Sequence, residues 1–542
     1  AAFDPGGDGF VVRGARLAAQ LAGAGSDAIV TAGGGTFRWQ VTIPARGRVR
    51  VRWSVRVQDP DAVVVPADGP APFVPPPVTA DDRRLAPLVT RAVEDLAVLR
   101  MCTADRREDE FLAAGSPWYL TLFGRDSMWA ARMLLPLGTD IARGTLATLA
   151  ARQGTALDPR TAEEPGKILH ELRRGEFSFG ATSLPPAYYG TVDATPLWVC
   201  LLADAWRWGL AESVVAPLLP VAERALAWMV DYGDADGDGF LEYVDGSGRG
   251  LANQGWKDSG DSVRFADGRI AAGPVALAEV QGYAHEAALA GAELLDAFGR
   301  PGADRWRDYA GRLAGAFRDR FWLADDLGPY PAMALDGTKT RVDAPASNMG
   351  HLLSSGMLNR AEASAIADRL VHASMSTGFG LRTMSSAAGG YSPLSYHCGS
   401  VWPHDTAIAV HGLIRAGFPG QAAVLAEGLL AAGAAFDGRV PELFGGFDRA
   451  DVPVPVPYPA ACRPQAWSAA AAVVILQAFL GVQADVPHGV VRVTPSARIG
   501  AVTASGLRVA GLGLRVTVSA DGSASAEVEG DALRVEVGPN PG

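Results

Sequence analysis

The chain has 542 residues, of which 48% are hydrophobic and 20% are charged, so we expect a large buried core and exclude global disorder. The net charge of -11 and the absence of a long Lys/Arg run argue against a nucleic-acid partner. No window of about 18 uninterrupted apolar residues predicts a membrane span. The cysteines lie far apart without CxxC spacing, which is typical of reduced thiols in a cytoplasmic protein.

Residues 1–65 are predicted to form an N-terminal antiparallel β-domain. FVVRGARLAAQL, AIVTAGGGTFRWQVTI and GRVRVRWSVRVQ alternate apolar and polar residues, with Gly-rich turns between them. The first ten residues lack the charged and apolar segments of a signal peptide, and the chain begins at Ala1 instead of Met, as a trimmed sequence would. The Pro/Gly-rich stretch 66–83 is predicted to be a linker.

Residues 84–482 change to helical periodicity. About twelve amphipathic segments, among them LAPLVTRAVEDLAVLRM, TPLWVCLLADAWRWGL and QAWSAAAAVVILQAFL, are separated by long aromatic and Gly/Pro-rich loops. So many helices of this length cannot form one simple bundle, and concentric hairpins would close them into an (α/α)6 toroid with its chemistry in the loops at one mouth. The alternating pattern returns in 483–542, which we predict to be a small C-terminal β-segment. The fold class is therefore mainly α.

Four loops combine acids with aromatic rings and glycine turns. They are SPWYLTLFGRDSMWAAR, LANQGWKDSGDSV, SYHCGSVWPHD and GRVPELFGGF. Sugar recognition needs flat rings for stacking, forked polar groups for hydroxyls, and two carboxyls for acid/base work. The sequence therefore predicts a carbohydrate site.

Asp258 and Glu442 are the predicted catalytic pair. Trp256 beside Asp258 would exclude water and raise the pKa of that carboxyl, as a general acid requires. Glu442 lies between a proline and two glycines, a setting suited to a base that activates water. Turn or capping roles are the alternative for either acid. Asp261 occupies the same loop as Asp258 and is a rival for the general acid, with Asp258 then binding sugar.

Other side chains of these stretches are predicted to contact substrate. Asp126 precedes a predicted helix, so it is either an N-cap or, with Arg125, a ligand for sugar hydroxyls. His404 is either a sugar ligand or a buried structural histidine, and core packing is the alternative for the aromatic residues. The predicted substrate-binding residues are Phe123, Arg125, Asp126, Trp256, Lys257, Asp261, Gln281, Tyr283, Trp402, His404, Gln465 and Trp467.

The segment DADGDGFLEYVD has calcium-loop spacing. Asp234, Asp236, Asp238 and Gly239 fit positions 1, 3, 5 and 6, but position 12 is Asp245 where a bidentate Glu is usual. We therefore favour a tight Asp/Gly turn, with a structural calcium at Asp234, Asp236 and Asp238 as the alternative. Hydrolysis by paired carboxylates needs no cofactor.

Five motifs in order resemble a known superfamily. FGRDSMWAARMLLP, NQGWKDSGDS, PVALAEVQGY, GSVWPHDTAIA and VPELFGGF are similar to six-hairpin glycosidases related to the amylo-α-1,6-glucosidase part of glycogen debranching enzymes, and to the mannosylglycerate-hydrolase-like branch. The resemblance extends over residues 116–480 and implies an (α/α)6 barrel and inverting hydrolysis, with Asp258 as acid and Glu442 as base. Two departures are a missing Trp after Ser259-Gly260, where trehalase-like relatives have one, and a shorter N-terminal β-region.

The predicted function is an inverting, exo-acting glycoside hydrolase of α-glucosides or related small α-glycosides. The alternatives are the same fold acting on an α-rhamnoside or a glycosyl-glycerate, and a non-catalytic carbohydrate-binding protein. The expected partner is a small-molecule or oligosaccharide substrate, without nucleic acid or membrane. The sequence does not determine the sugar, the linkage or the oligomeric state.

Overall fold

A computed structural model of the protein describes residues 2–6, 9–14, 17–31, 34–496, 498 and 500–538. The rest of the predicted β-regions 1–65 and 483–542 lies outside these residues. The chain divides into two compact units, Ala1–Val63 and Val64–Gly542.

The first unit is made of strands. Strands β1, β2, β3 and β6 form one antiparallel sheet in that order, and β4 pairs with β5. Phe10 on β2 is buried and its ring lies 5.1 Å from that of Phe37 on β5, whereas Trp53 on β6 is exposed. The strands are β1 (Ala2–Gly6), β2 (Gly9–Arg13), β3 (Ala18–Ala24), β4 (Asp27–Thr31), β5 (Gly34–Arg38) and β6 (Arg52–Gln58).

The second unit is mainly helical, as the period of its sequence predicted. Within the described part of this unit, α9, a single turn inside a long loop, is the helix without a counterpart in that pattern. The helices are α1 (Leu85–Val98), α2 (Gly124–Met133), α3 (Asp140–Ala150), α4 (Ala194–Arg207), α5 (Glu212–Val215), α6 (Leu219–Asp231), α7 (Ala278–Ala297), α8 (Ala303–Phe321), α9 (Asn348–His351), α10 (Arg360–Leu370), α11 (Pro403–Arg415), α12 (Pro419–Ala435) and α13 (Ala466–Leu480).

Contacts between helices follow a closed cycle. Helix α13 packs against α2, α2 against α4, α4 against α7, α7 against α9, α9 against α11, and α11 against α13. A second helix lies against each of these: α1 on α13, α3 on α2, α6 on α4, α8 on α7, α10 on α9 and α12 on α11.

Composition explains which helices occupy the inner cycle. Helix α13 is apolar around its whole circumference and is buried on nearly every side, as a helix enclosed by others must be. Helix α8 buries one stripe, including Trp306, Leu313 and Phe317, and exposes charged residues on its other face.

Strands of the second unit form short sheets around the helices. They are β7 (Val64–Pro66), β8 (Val78–Ala80), β9 (Arg100–Thr103), β10 (Arg106–Leu112), β11 (Leu122–Phe123), β12 (Glu171–Leu172), β13 (Phe177–Phe179), β14 (Thr182–Leu184), β15 (Ala187–Tyr188), β16 (Ala276–Leu277), β17 (Trp322–Asp325), β18 (Gly328–Pro331), β19 (Ala334–Leu335), β20 (Arg341–Val342), β21 (Val482–Asp485), β22 (Val490–Val493), β23 (Val502–Val509), β24 (Leu512–Val518), β25 (Ala524–Val528) and β26 (Arg534–Val537).

The Pro/Gly-rich stretch 66–83 is not a free linker along its whole length. Its strand β8 pairs antiparallel with β23, so the C-terminal sheet runs β25-β24-β23-β8. Sequence periodicity could not show this, because a three-residue edge strand leaves almost no alternating pattern.

One helical stretch among the described residues, Glu212–Asp231, is long and apolar enough to span a membrane by length and composition alone. It is divided at Ala216–Leu218 by a 3₁₀ turn, and its last part, α6, packs against α4 and α7 within the helical unit. These contacts give its apolar face partners inside the protein.

Candidate active site

The N-terminal ends of α2, α11 and α13 border one small cavity of about 380 Å³, including space open to solvent. Most of the acids and aromatic rings predicted for substrate binding meet there. The lining residues are Tyr119, Phe123, Arg125, Asp126, Trp256, Asp258, Tyr396, His397, Trp402, Glu442, Gln465 and Trp467. The two predicted catalytic acids, 184 positions apart in the sequence, therefore share a cavity.

Arg125 links the acids on one side of the cavity. It is buried in the first turn of α2, where Nη1 donates to Asp193 at 3.2 Å and Nη2 donates to Asp258 Oδ2 at 3.1 Å. Asp193 is the residue before α4 and also accepts a hydrogen bond from Thr191 Oγ1 at 2.7 Å. Because Asp193 fixes the Arg125 guanidinium, its positive charge orients the Asp258 carboxyl and opposes protonation of that carboxyl.

Asp258 nevertheless has a raised pKa. Burial raises it to about 6 against the lowering effect of Arg125, and the charges of Asp193 and Glu171 add to the increase. About 30% of the side chain remains exposed, so the carboxyl can reach a substrate in the cavity. A carboxyl that exchanges its proton near pH 6 is suited to donate one to a leaving group.

Glu442 is held by two donors. Tyr396 Oη donates to Oε1 at 2.6 Å and the Cys462 backbone N–H donates to Oε2 at 2.8 Å. The Glu442 N–H donates to the Cys462 carbonyl oxygen at 2.8 Å, which fixes the backbone of the loop as well. Burial raises the pKa of Glu442 and the two donors oppose that rise. The donors favour the ionised carboxylate that a base needs.

Asp126 lines the cavity and is not an N-cap. The residue before α2 is Phe123, and Asp126 lies inside the first turn with Arg125 Nε 3.9 Å from its Oδ1. Burial, opposed by Arg125 and reinforced by Asp258 and Glu442, raises the pKa of Asp126 to about 8. A protonated carboxyl at neutral pH both donates and accepts, which suits a sugar hydroxyl.

Aromatic rings form the rest of the wall. Trp256 packs edge-to-face against Trp402 at 5.8 Å, and Trp402 packs in the same way against Trp467 at 5.9 Å. His397 stacks on Trp402 with centroids 5.0 Å apart and hydrogen-bonds Ser259, the residue after Asp258. The indole N–H groups of Trp256 and Trp467 are buried without a partner among the described residues. Such donors suit ligand oxygens, although bound waters would satisfy them as well.

Five predicted substrate-binding residues do not line the cavity. The Gln281 amide accepts a hydrogen bond from the Leu241 N–H and donates one to the Leu241 carbonyl oxygen. Lys257 Nζ lies beneath the Trp256 ring and donates hydrogen bonds to Asn348 and Thr383. Their motif positions predicted contact with substrate, but in the fold their polar groups are hydrogen-bonded to protein groups outside the cavity lining.

The other three residues outside the cavity lining, Tyr283, His404 and Asp261, differ in how deeply they are buried. Tyr283 is buried and hydrogen-bonds His351, which in turn bonds Asp405 at 2.8 Å. His404 is buried outside the cavity lining and stacks on Trp467 with centroids 3.7 Å apart. Asp261 is 47% exposed and pairs with Arg264 at 3.3 Å, outside the cavity.

Three lining residues were not among the predicted ligands. Tyr119 and Tyr396 lie in loops that were singled out, but no pattern distinguished them from packing aromatics. Their hydroxyls lie near Glu442 only because the loops come together in the fold. The Tyr396 hydroxyl donates a hydrogen bond to Glu442. Burial raises the pKa of Tyr119, and the negative charge of Glu442 adds to that rise. The third residue, His397, contacts Asp258's loop from another element.

The calcium-like loop forms the tight turn predicted for it. Asp234 accepts hydrogen bonds from the backbone N–H groups of residues 237–239, and Asp245, at position 12, accepts hydrogen bonds from the N–H groups of Ser247 and Gly250. Lys339 Nζ pairs with Asp236 at 2.9 Å and with Asp238 at 3.0 Å, and it also bonds Glu242. A calcium ion would have to displace this ammonium group, so the residues fit the metal poorly.

Residues 126–446 match the family model of the mannosylglycerate hydrolase MGH1-like glycoside hydrolase domain, a span that starts at Asp126 and contains Asp258 and Glu442. The chain belongs to this family. The matched domain is a glycoside hydrolase domain, as the five motifs indicated. No curated protein sequence gives a significant match.

Two solved structures show the same fold at low identity. The GH63 mannosylglycerate hydrolase from Thermus thermophilus, in complex with Tris, is 15% identical over 71% of this chain and 98% of that one, with a TM-score of 0.51. The GH78 rhamnosidase of a Bacillus species is 14% identical over 87% of this chain, with a TM-score of 0.61. The present chain spans 43% of the rhamnosidase's length.

Proposed function

We propose that the protein is an inverting, exo-acting glycoside hydrolase of α-glucosides or related small α-glycosides, built on an (α/α)6 toroid. The closed cycle of six inner helices, each with an outer partner, supports the toroid. The observation that carries the function is the pairing of Asp258 and Glu442 in one cavity, each in an environment suited to its role.

Asp258 would act as the general acid. Its proton passes to the glycosidic oxygen as the bond from that oxygen to the anomeric carbon breaks, and the aglycone leaves as an alcohol. A pKa of about 6 leaves the carboxyl partly protonated in mildly acidic solution. Arg125, which lies 3.1 Å from Oδ2, then stabilises the carboxylate that remains.

Glu442 would act as the general base. A water between it and the sugar attacks the anomeric carbon from the face opposite the aglycone, and Glu442 takes the proton of that water. The hydroxyl of Tyr396 and the N–H of Cys462 orient the carboxylate oxygens. Because the two carboxyls act on opposite faces of the ring, the configuration at the anomeric carbon inverts.

The cavity is small and lined by Trp256, Trp402 and Trp467, which supports an exo mode in which one terminal sugar enters. Asp126 would bind hydroxyls of that sugar. Arg125 is the one cation among the lining residues and is already paired with two carboxylates, so the cavity favours a neutral sugar ring over a sugar acid.

The test is a release assay on a panel of natural and aryl α-glycosides, with Glu442→Gln as the inactive control. We expect turnover of at least one α-glycoside by the natural enzyme and none by the variant. NMR of the first-formed sugar should show the anomer opposite to that of the substrate. A product of retained configuration would reject the mechanism, and full activity of the variant would reject the base.

A glycosyl-glycerate is the second candidate substrate, favoured by the family's description and by Arg173. This guanidinium lies 5.6 Å from the ring centroid of Phe123, a lining residue, and 4.4 Å from that of Phe177. It pairs with Glu171 at 3.0 Å, but burial raises the pKa of that acid. If the aglycone is acidic, Arg173→Met should raise KM for glucosylglycerate or mannosylglycerate about tenfold or more and leave aryl glycosides unchanged.

A further inference from the structure

A second cavity lies at the other end of the inner helices. It encloses about 1280 Å³, including space open to solvent, compared with about 380 Å³ for the active-site cavity. Along α2, Arg125 and Asp126 line the active site, and Trp129, Arg132 and Met133 line the second cavity. Along α13, Trp467 lines the active site, and Val474 and Gln477, further along the helix, line the second cavity. We call this second space the far cavity.

Arginines in the last turns of three helices converge there. They are Arg132 of α2, Arg207 of α4 and Arg415 of α11, and a positive charge is favourable there, next to the negative end of the helix dipole. Helix stabilisation alone would account for each arginine separately. It does not account for their convergence on one cavity with two carboxylates.

Two of the arginines are fully engaged. Arg132 donates to Asp204 Oδ2 at 2.6 Å and to both oxygens of Glu286. Arg207 donates to Asp204 Oδ1 at 2.8 Å and pairs with Glu293, which does not line the cavity. All four oxygens of the lining carboxylates are therefore occupied. The charge of Arg415 also helps to lower the pKa of Asp204, but no hydrogen bond joins the two among the described residues.

Arg415 has no such partner. Among the described residues it donates no hydrogen bond, and it lies one turn after His411 on the same face of α11. Burial, together with the charges of Arg415 and Arg132 and against that of Asp204, lowers the pKa of His411 to about 3, so its ring is neutral. Gln483 and the oxygen of Gln477, whose Nε2 bonds Val482, complete the polar side.

Apolar residues line the rest of the far cavity, and we call this part its tryptophan side. The rings of Trp129 and Trp208 line it with Leu135 and Ile408, and Leu289 is 40% exposed within it. A cavity with one unpaired guanidinium, neutral hydrogen-bonding groups and flat apolar rings suits a compact molecule that has an anionic group, hydroxyls and an apolar face.

We propose that the far cavity binds a small organic anion, namely an acidic sugar or a sugar phosphate, whose anionic group is held by Arg415. Its hydroxyls bond His411 and Gln477, and its ring packs on the tryptophan side. The site is separate from the catalytic acids and does not depend on the proposed substrate.

The test is calorimetric titration of the full chain with glucose 6-phosphate, glucuronate, inorganic phosphate and glucose. We expect saturable binding of the two acidic sugars, weakened about 10–100-fold in Arg415→Gln, the range for losing one charge-assisted hydrogen-bonding group. Arg312→Gln, at an exposed position on α8 outside both cavities, is the matched control and should bind normally. Glucose binding in the active site should have the same affinity in the natural protein, Arg415→Gln and Arg312→Gln.

A second measurement locates the ligand. The His411 ring resonances, assigned by their loss in His411→Gln, should shift on titration with glucose 6-phosphate and saturate with the calorimetric affinity. Absence of saturable binding at millimolar concentrations, equal affinity in Arg415→Gln, or unmoved His411 resonances would overturn the proposal. Inorganic phosphate binding as tightly as the acidic sugars would also overturn it, because the tryptophan side would then contribute nothing.

Discussion

Substitution of Asp258 by Asn removes the proposed proton donor with little change in side-chain volume. The loss should depend on the leaving group. A natural alkoxide leaving group needs the proton, so its hydrolysis should fall about 10²–10⁴-fold. A glycosyl fluoride or dinitrophenyl glycoside departs almost unaided, so its rate should fall less than about tenfold.

The pH profile gives the same prediction a second readout. With a pKa of about 6, roughly one-tenth of the enzyme holds the Asp258 proton at pH 7, from the relation between pKa and pH. A general acid works only when protonated, so kcat/KM for natural glycosides should fall as the pH rises through about 6. In the Asp258→Asn variant, assayed with an activated substrate, this alkaline limb should be absent.

Asp261→Asn is the matched control from the same loop. Its carboxyl is 47% exposed and bonded to Arg264, outside the cavity, so both substrate classes should keep their rates within about twofold. Steady-state kinetics across the two classes distinguish the outcomes. An equal loss for both substrates in Asp258→Asn would refute the reasoning, and a leaving-group-dependent loss in Asp261→Asn would assign the acid to Asp261.

Glu442→Gln should abolish turnover of every glycoside, by about 10²–10⁴-fold or more, while calorimetry still detects sugar binding; near-normal activity would contradict its role. Tyr396→Phe removes the 2.6 Å hydrogen bond that favours ionised Glu442, so the acidic limb of kcat/KM should move to higher pH, and an unchanged limb would count against that contact. Chelators should leave activity intact, and its reversible loss and recovery with calcium would overturn this expectation. Lys339→Gln leaves Asp236, Asp238 and Glu242 without their cation, so Tm should fall by several degrees, and calcium should raise the Tm of the variant but not of the natural protein.

Three predicted site residues that line the cavity share a local signal. Asp258, Glu442 and Asp126 each lie in a short motif in which an acid is surrounded by aromatic residues and glycines, and all three line the cavity. Helix periodicity predicted α7 and α13 in the same way, since apolar spacing is a property of neighbouring residues. Such features are encoded within about ten residues, so one sequence is enough to find them.

The neighbouring residues in the sequence did not predict how deeply a side chain of the site lies in the fold. Lys257 is adjacent to both Trp256 and Asp258, yet its ammonium group lies beneath the indole, bonded to Asn348 and Thr383 from distant loops. Gln281 and Tyr283 were predicted at the cavity from the motif that contains them, but α7 directs them into the surrounding structure, where backbone groups and His351 bond them.

Sequence alone determined the helical and β-rich regions, the glycosidase motifs and the two acids that we propose as catalytic, because each depends on short-range patterns. Tertiary structure decided which side chains reach the cavity, how Arg125 and Tyr396 hold the two acids, and that Lys339 meets the acids of the calcium-like loop. It also brought Arg132, Arg207 and Arg415 together from three helices. These outcomes depend on contacts between residues tens to hundreds of positions apart, and such contacts leave no periodic trace in a single chain.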